Sequence, residues 1–426
     1  MCKIYVFLLS LAVFSVNVYG LSGSGTEADP WLIGSLADFN DFTADPNYWD
    51  DYTRLETDVN LVGITYTTAV IAPDMNNTYV DGTVYSGVFD GNNHTISNLT
   101  IDTADANNCY IGLFGKTDIN SVITNLAIED CNIISGIDSE YVGGLVGYNS
   151  GNISNCYASG SVSGGSGVGG LIGENWVETD GGSIFISNCY SAGSVSADGI
   201  AGGLIGASVV DDIVYSGSIF ISDCYSGGSV SADGAESTAG GLIGASGLLS
   251  SEIGSSVITN CYSGSSVSAN RDAGGLIGRS FDDDVSNCYA TGSVSGPGWN
   301  AGLIAGFCSN VSNCYATGSV SGGHNFGLFS TLVSCYHTDS GCFWDTETSG
   351  VLIGYHGIGK TTSEMKMLST FISAGWDFLE TWGIEDNQTY PFLKLTYPIG
   401  DLNYDHIVNM LDLAIQAGHW LDETEQ

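Results

Sequence analysis

An internal repeat constrains this chain more than any other feature. A glycine pentad, G-G-L-[IV]-G, occupies residues 143–147, 169–173, 202–206, 240–244 and 274–278, with worn copies at 112–115, 302–305 and 327–329. Its central leucines stand at 113, 145, 171, 204, 242, 276, 303 and 328, in steps of 32, 26, 33, 38, 34, 27 and 25. A second unit, Ser154-Asn155-Cys156-Tyr157, recurs around Cys189, Cys224, Cys261, Cys288, Cys314 and Cys335, with a worn copy at Cys131. The text after it alternates, with Cys288, Ala290, Gly292 and Val294 on one face and Tyr289, Thr291, Ser293 and Ser295 on the other. Period two between Gly and Ser boundaries means short strands and turns. A repeat of this length, built of short strands, is one coil of a solenoid whose coils stack about 4.8 Å apart. Eight or nine coils then span roughly 40 Å. The expected fold is all-β, a right-handed parallel β-helix with short caps and a small C-terminal helical segment.

Stacking turns each repeated position into a column. The cysteines at 131, 156, 189, 224, 261, 288, 314 and 335 should face inward as reduced thiols, since in-register neighbours rarely meet the torsion of a disulfide. Cys109, Cys308 and Cys342 fall outside that column and are the better candidates for bridges. Tyr157, Tyr190, Tyr225, Tyr262, Tyr289, Tyr315 and Tyr336 should face outward, either stacking to hold register or offering a platform to sugar rings.

Charge narrows the partners. Eight basic residues against 47 acidic ones give a formal net charge of −39. Such a surface repels phosphate backbones and anionic membranes, which excludes nucleic acid as a partner, and it suits cations, saline media or neutral glycans. Residues 1–20 read as a signal peptide, with Lys3 before an apolar run, and no later run is long enough for a transmembrane segment. The protein is therefore expected to be secreted, extracellular or at the cell surface. The chain divides into the signal peptide (1–20), an N-terminal cap with the first coils (21–108), the repeat β-helix (109–345), a C-terminal cap (346–398) and a last segment (399–426). The first cap should use Trp31 and a helix over 36–42. The second should use a helix with capping-box spacing at Thr361 and Glu364, closed by Trp376 and Phe392.

The pentads with S-N-C-Y-A-T-G-S-V text resemble GLUG-repeat proteins of bacterial surfaces and secretomes. Supporting text lies at 22–31, at 89–96 (Phe89-Asp90-Gly91-Asn92-Asn93-His94-Thr95-Ile96), at 342–345, at 359–362 and at 375–378. The resemblance implies a β-helix and an adhesion-like surface role. Some immunoglobulin A peptidases carry such repeats beside a zinc protease domain, but no H-E-x-x-H occurs here. The last segment resembles a single dockerin half-module. Asp401, Asn403, Asp405, Ile407 (through its carbonyl), Asn409 and Asp412 have the spacing of an EF-hand calcium loop, and residues 408–421 continue as an amphipathic helix. Calcium is the implied cofactor and a cohesin-like protein a possible partner. His406 stands where such loops usually have Gly, and the bland reading is an acidic helix start.

Three long coils carry insertions at one station: 174–183, 207–217 and 245–256. Stacked insertions form a wall along one edge, a usual place for binding loops. Glu174, Trp176, Glu178, Asp180, Asp211, Asp212 and Tyr215, with Asp282 and Asp283 one coil on, are the candidate ligand-binding residues; solvated turn residues are the alternative. An extracellular glycan or surface protein is the expected ligand. The N-x-[ST] matches at Asn152 and Asn310 read as turn asparagines. A polysaccharide hydrolase or lyase using loop carboxylates is the competing class. Asp211/Asp212 and Asp282/Asp283 are its candidate pairs, but sequence neighbours on one loop point apart, and basic residues are scarce within the repeats, Arg271 and Arg279 among them. Non-catalytic binding is the preferred reading.

Overall fold

A computed structural model describes residues 20–73, 82–104, 108–177, 182–210, 217–248, 255–331, 338–352, 354 and 356–394. The signal-peptide residues 1–19 and the whole calcium-loop segment lie outside these, as do Glu178, Asp180, Asp211, Asp212, Tyr215, Cys335 and Tyr336.

The chain forms a parallel β-helix. One ladder runs from Thr53 through Phe89, Ile123, Ile153, Ile186, Ile221, Ile258 and Val285 to Val311, each residue in register with its counterpart one coil on. All are buried. The pentad leucines form a second ladder whose backbone amides bond to the next leucine carbonyl, as in Leu171 to Leu204 at 3.0 Å and Leu242 to Leu276 at 2.8 Å. Each fully buried aliphatic side chain contributes about 1.5–3 kcal/mol through burial, so identical rungs add along the stack.

The pentad glycines make a re-entrant corner in which backbones touch. A Cβ on Gly202 would lie 1.8 Å from the Ile205 carbonyl oxygen, and one on Gly206 would lie 2.5 Å from the backbone of Gly167 and Val168 in the preceding coil. In the intact pentads no Cβ fits, whereas the worn copy carries Ala301 and Ala305 at the equivalent stations. The residue before each ladder cysteine takes the left-handed conformation, as at Asn155, Asn188, Asp223, Asn260, Asn287 and Asn313, where φ lies between 51° and 55°. Amide side chains bond along this column, Asn155 to Asn125 at 3.1 Å among them. Asn152 and Asn310, expected in turns, lie in strands instead.

Cys156, Cys189, Cys224, Cys261, Cys288 and Cys314 face inward as free thiols. Each thiol of the first five lies 3.7–3.8 Å from the carbonyl of the ladder residue in the coil before, as Cys224 does to Ile186. Two memberships are corrected. Cys342 is the rung after Cys314, because Phe343 pairs with Tyr315, and it is a free buried thiol instead of a bridge former. Cys131 is not a rung: Tyr157 pairs with Ala127, which puts Leu126 opposite Cys156 and sets Cys131 against Gly160. Cys109 is also free and buried.

The tyrosines face outward and stack. Ring centroids from Tyr157 through Tyr190, Tyr225, Tyr262 and Tyr289 to Tyr315 are separated by 4.1–5.0 Å. The rings are half-buried until Tyr315, which the C-terminal cap covers completely.

Aromatic side chains close the stack at its N-terminal end and cover the outer tyrosine face at its C-terminal end. Ser35 caps the helix Leu36–Ala44, which buries Phe39 and Phe42, and Trp31 bonds Asp51 at 2.9 Å. At the other end Thr361 and Glu364 form the expected capping box. Trp376 packs against Trp382, with centroids 4.4 Å apart, and both lie near Tyr315. Phe392, expected to close the last coil, is exposed; Trp382 and Leu393 take its place because the short antiparallel pairing of 382–383 with 392–393 turns Leu393 inward.

Candidate functional site

The re-entrant corner creates a groove. Side chains just before the pentad and just after it face each other across the bend, coil after coil. After the pentad the column reads Lys116, Tyr148, Glu174, Ala207, Ala245 and Arg279. Facing it are Tyr110, Tyr141, Gly167, Ile200, Thr238 and Asp272, as the registers of the residues that follow them require.

These columns are filled at both ends and hollow between. At the N-terminal end Tyr110 and Tyr141 stack at 5.4 Å, Tyr148 meets both edge-on, and the Lys116 ammonium lies 4.6 Å from the centre of the Tyr148 ring. Tyr110 and Tyr141 hold φ near +60°, which costs a bulky residue about 1–2 kcal/mol. Gly167 keeps this left-handed conformation on the next coil without the side chain. That glycine, with Ala207 and Ala245 opposite, leaves a cavity of about 320 Å³. Glu140, Tyr141 and Glu174 line one end, Arg279 and Phe281 the other, and Ile200 and Val209 lie between. Glu174 and Arg279 are three rungs apart, roughly 14 Å at about 4.8 Å per coil.

Glu174 is buried, and its Oε2 has no hydrogen-bond partner. Burial, reinforced by the nearby Glu140 charge, pushes its carboxyl up to about 8. Burial and the same two carboxylates raise the Tyr141 phenol. At the far end Arg279 pairs through Nη2 with Asp272, itself buried, while Arg279 Nε is buried without an acceptor. The cavity is thus bounded at one end by a carboxyl with one unsatisfied oxygen and at the other by a paired guanidinium.

Of the expected site residues the structure brings Glu174 into the groove. Trp176 follows it on the same strand, half-buried and outside the cavity lining. Asp283 is corrected: it lies inside the β-helix, where it accepts hydrogen bonds from Ser246 at 3.1 Å and from Ser280. These residues extend an interior polar column in which Thr117 bonds Asn149 at 2.8 Å and Asn149 bonds Asn175 at 2.9 Å. Asp282 lies in the strand Ile277–Ser286, not in a loop, and its side chain is outside the described set. Tyr141, Glu140, Ile200 and Arg279 were not anticipated. The available signal was variation: the position after the pentad changes from Lys to Tyr, Glu, Ala, Ala and Arg while the pentad itself does not.

Residues 138–163 and 269–295 match the family described as the GLUG motif. Over 161 residues, 36% of this chain, the sequence is 32% identical to halomucin of Haloquadratum walsbyi, of which the match spans 2%. Over 140 residues, 32% of the chain, it is 34% identical to a protein of Evansella cellulosilytica named as a Gly-rich membrane protein, of which it spans 14%. The chain therefore matches small parts of these relatives. A solved structure from Bacteroides ovatus, described as that of an immunoglobulin A1 protease, aligns with 87% of this chain and 94% of its own at 20% identity and a TM-score of 0.49. Among the described residues no helix is long and apolar enough to cross a membrane.

Proposed function

We propose that the protein is exported and acts at the cell surface as a non-catalytic binding or adhesion protein, holding a stretch of extracellular glycan in its lateral groove. One observation carries this reading: at the glycine corner, where every coil must bend inward, three consecutive coils carry side chains too small to fill the space. A glycan array probed with the chain from Leu21 onward tests it. Binding to a defined glycan, lost when Ala245→Leu fills the groove, supports the reading; array binding unchanged by that substitution contradicts it.

The segment 399–426 is proposed to add a calcium-dependent docking function through Asp401, Asn403, Asp405, Ile407, Asn409 and Asp412, coupled to folding of the segment. Calorimetry on the whole chain should find calcium uptake that Asp401→Ala removes. No uptake at millimolar calcium contradicts it.

A second reading has support in the same groove. A buried carboxyl held protonated near a second carboxyl is a pairing a glycoside hydrolase uses, and Glu174 with Glu140 replaces the loop carboxylates expected from sequence. Release of reducing sugar by the wild type, lost in Glu174→Gln, would establish it over binding alone.

A further inference from the structure

We propose that the hollow beside Glu174 is a subsite for an amino sugar, with the sugar's free ammonium group on the Glu174 carboxylate and its ring on the apolar wall. This rests on the glycan-binding reading above and names the sugar chemistry that the groove selects.

The argument starts from an unmet demand. A buried carboxyl without a partner is costly, and a ligand that supplies a donor recovers part of that cost on binding. Neutral hydroxyl groups would supply a hydrogen bond. An ammonium group supplies a charge-assisted one, roughly twice as strong. The surroundings favour the cation. Glu140 lies close enough to raise the Glu174 carboxyl, and Arg279, at the far end, is already neutralised by Asp272. Glu140 is thus the charged group beside Glu174, with the Lys116 ammonium two rungs away against the Tyr148 ring, within a chain whose formal charge is −39. That field concentrates cations at the groove mouth.

The remainder of the cavity fits a sugar better than a simple amine. Ile200 and Val209 give it an apolar wall, against which a ring face can lie. Arg279 lines the far end, and a guanidinium there is a donor to hydroxyl oxygens but not to an alkyl ammonium. N-acetylation would remove the positive charge and add bulk beside Tyr141, so the acetylated sugar should be rejected.

Binding also moves a proton. The groups facing Glu174 are Glu140 and Tyr141 across the groove and Tyr148 on the adjacent rung. An arriving ammonium draws Glu174 into its ionised form, and the released proton passes to buffer.

The experiment is calorimetry on the chain from Leu21 onward at pH 7 and 0.15 M salt. The probes are a fully deacetylated glucosamine tetrasaccharide, its N-acetylated counterpart and tetralysine. The deacetylated sugar should bind at one site per chain, at least about tenfold more tightly than the other two, with proton release visible as a dependence of the heat on buffer ionisation. Glu174→Gln should weaken it about tenfold or more and abolish proton release, while Asp198→Asn, at an exposed turn, should change affinity less than twofold. Equal binding of the N-acetylated sugar, or no effect of Glu174→Gln, overturns the ammonium subsite while leaving glycan binding in the groove intact. Tetralysine binding as tightly as the tetrasaccharide overturns the sugar assignment. Binding of the deacetylated sugar that survives Ala245→Leu is adsorption to the acidic surface, and it overturns this inference and the groove reading together.

Discussion

The column of cysteines and the column after the glycine pentad are built by the same backbone, one rung per coil, yet they differ in kind. The first repeats one residue from Cys156 to Cys314 and again at Cys342, buried throughout. The second changes residue almost every coil, from Lys116 to Arg279, and lies beside a cavity. A station that keeps its residue solves the same packing problem each time. One that varies while its neighbours stay fixed has been released from packing and is open to recognition.

Substitutions can break this comparison. The largest effect is expected at the corner itself. Gly202→Val sets a side chain 1.8 Å from the Ile205 carbonyl oxygen and should cost on the order of 5 kcal/mol or more, enough to prevent folding. Gly227→Ala, where a Cβ meets nothing within 4 Å, should shift the denaturation midpoint little. If the two variants prove equally stable, the corner is not the constraint described.

Next in size is a pH effect at Glu174. Its folded carboxyl titrates near 8 against a reference of 4.5, so the folded state keeps its proton longer. The group's stabilising contribution is full below pH 4.5 and is lost as pH rises to about 8, by on the order of 5 kcal/mol. Urea midpoints of wild type should therefore fall relative to Glu174→Gln across that window. A constant difference between the two would show that Glu174 titrates normally.

Within the repeated column, Cys261→Ser places a hydroxyl where a thiol is packed and should cost about 1–3 kcal/mol in urea denaturation. The thiols should react slowly in the native protein and quickly once it is unfolded, because burial is the largest influence on each and raises Cys156, Cys224, Cys261 and Cys314. Rapid native labelling at Cys261 would mean the column is open. The smallest effect is expected at the varied station: Ala245→Leu should change stability by no more than about 0.5 kcal/mol. A loss comparable to Cys261→Ser would make that station structural as well.

The coil architecture was legible because it rests on identity between repeats: the pentads, S-N-C-Y and their leucines mark equivalent positions directly. Membership at the ends was harder to read. Cys131 sits in a strand of irregular register, where Leu126 supplies the rung, and Cys342 belongs to a coil whose text has diverged. The groove was less legible because it joins side chains from two arms of a bend and from several coils. Glu174 was visible as an acidic residue opening an insertion, but Tyr141 and Arg279 meet the same cavity only through register. Asp283 misled because an acidic run reads as solvated surface, whereas Ser246 and Ser280 satisfy it from within.

The covered tyrosine at the end of the stack has a consequence for how such molecules coexist at high concentration. Every inner coil is both a copy of the last and a template for the next, so an exposed terminal coil would accept a coil from another molecule as readily as from its own chain. Tyr315 donates to the Pro391 carbonyl at 2.5 Å, and the cap that brings Pro391 there spreads Trp376 and Trp382 over the same ring. The aromatic lid therefore covers the outward-facing rings at the last rungs of the tyrosine ladder, Tyr315 and Phe343, and a molecule that lost it would be expected to offer those rings to another molecule for stacking.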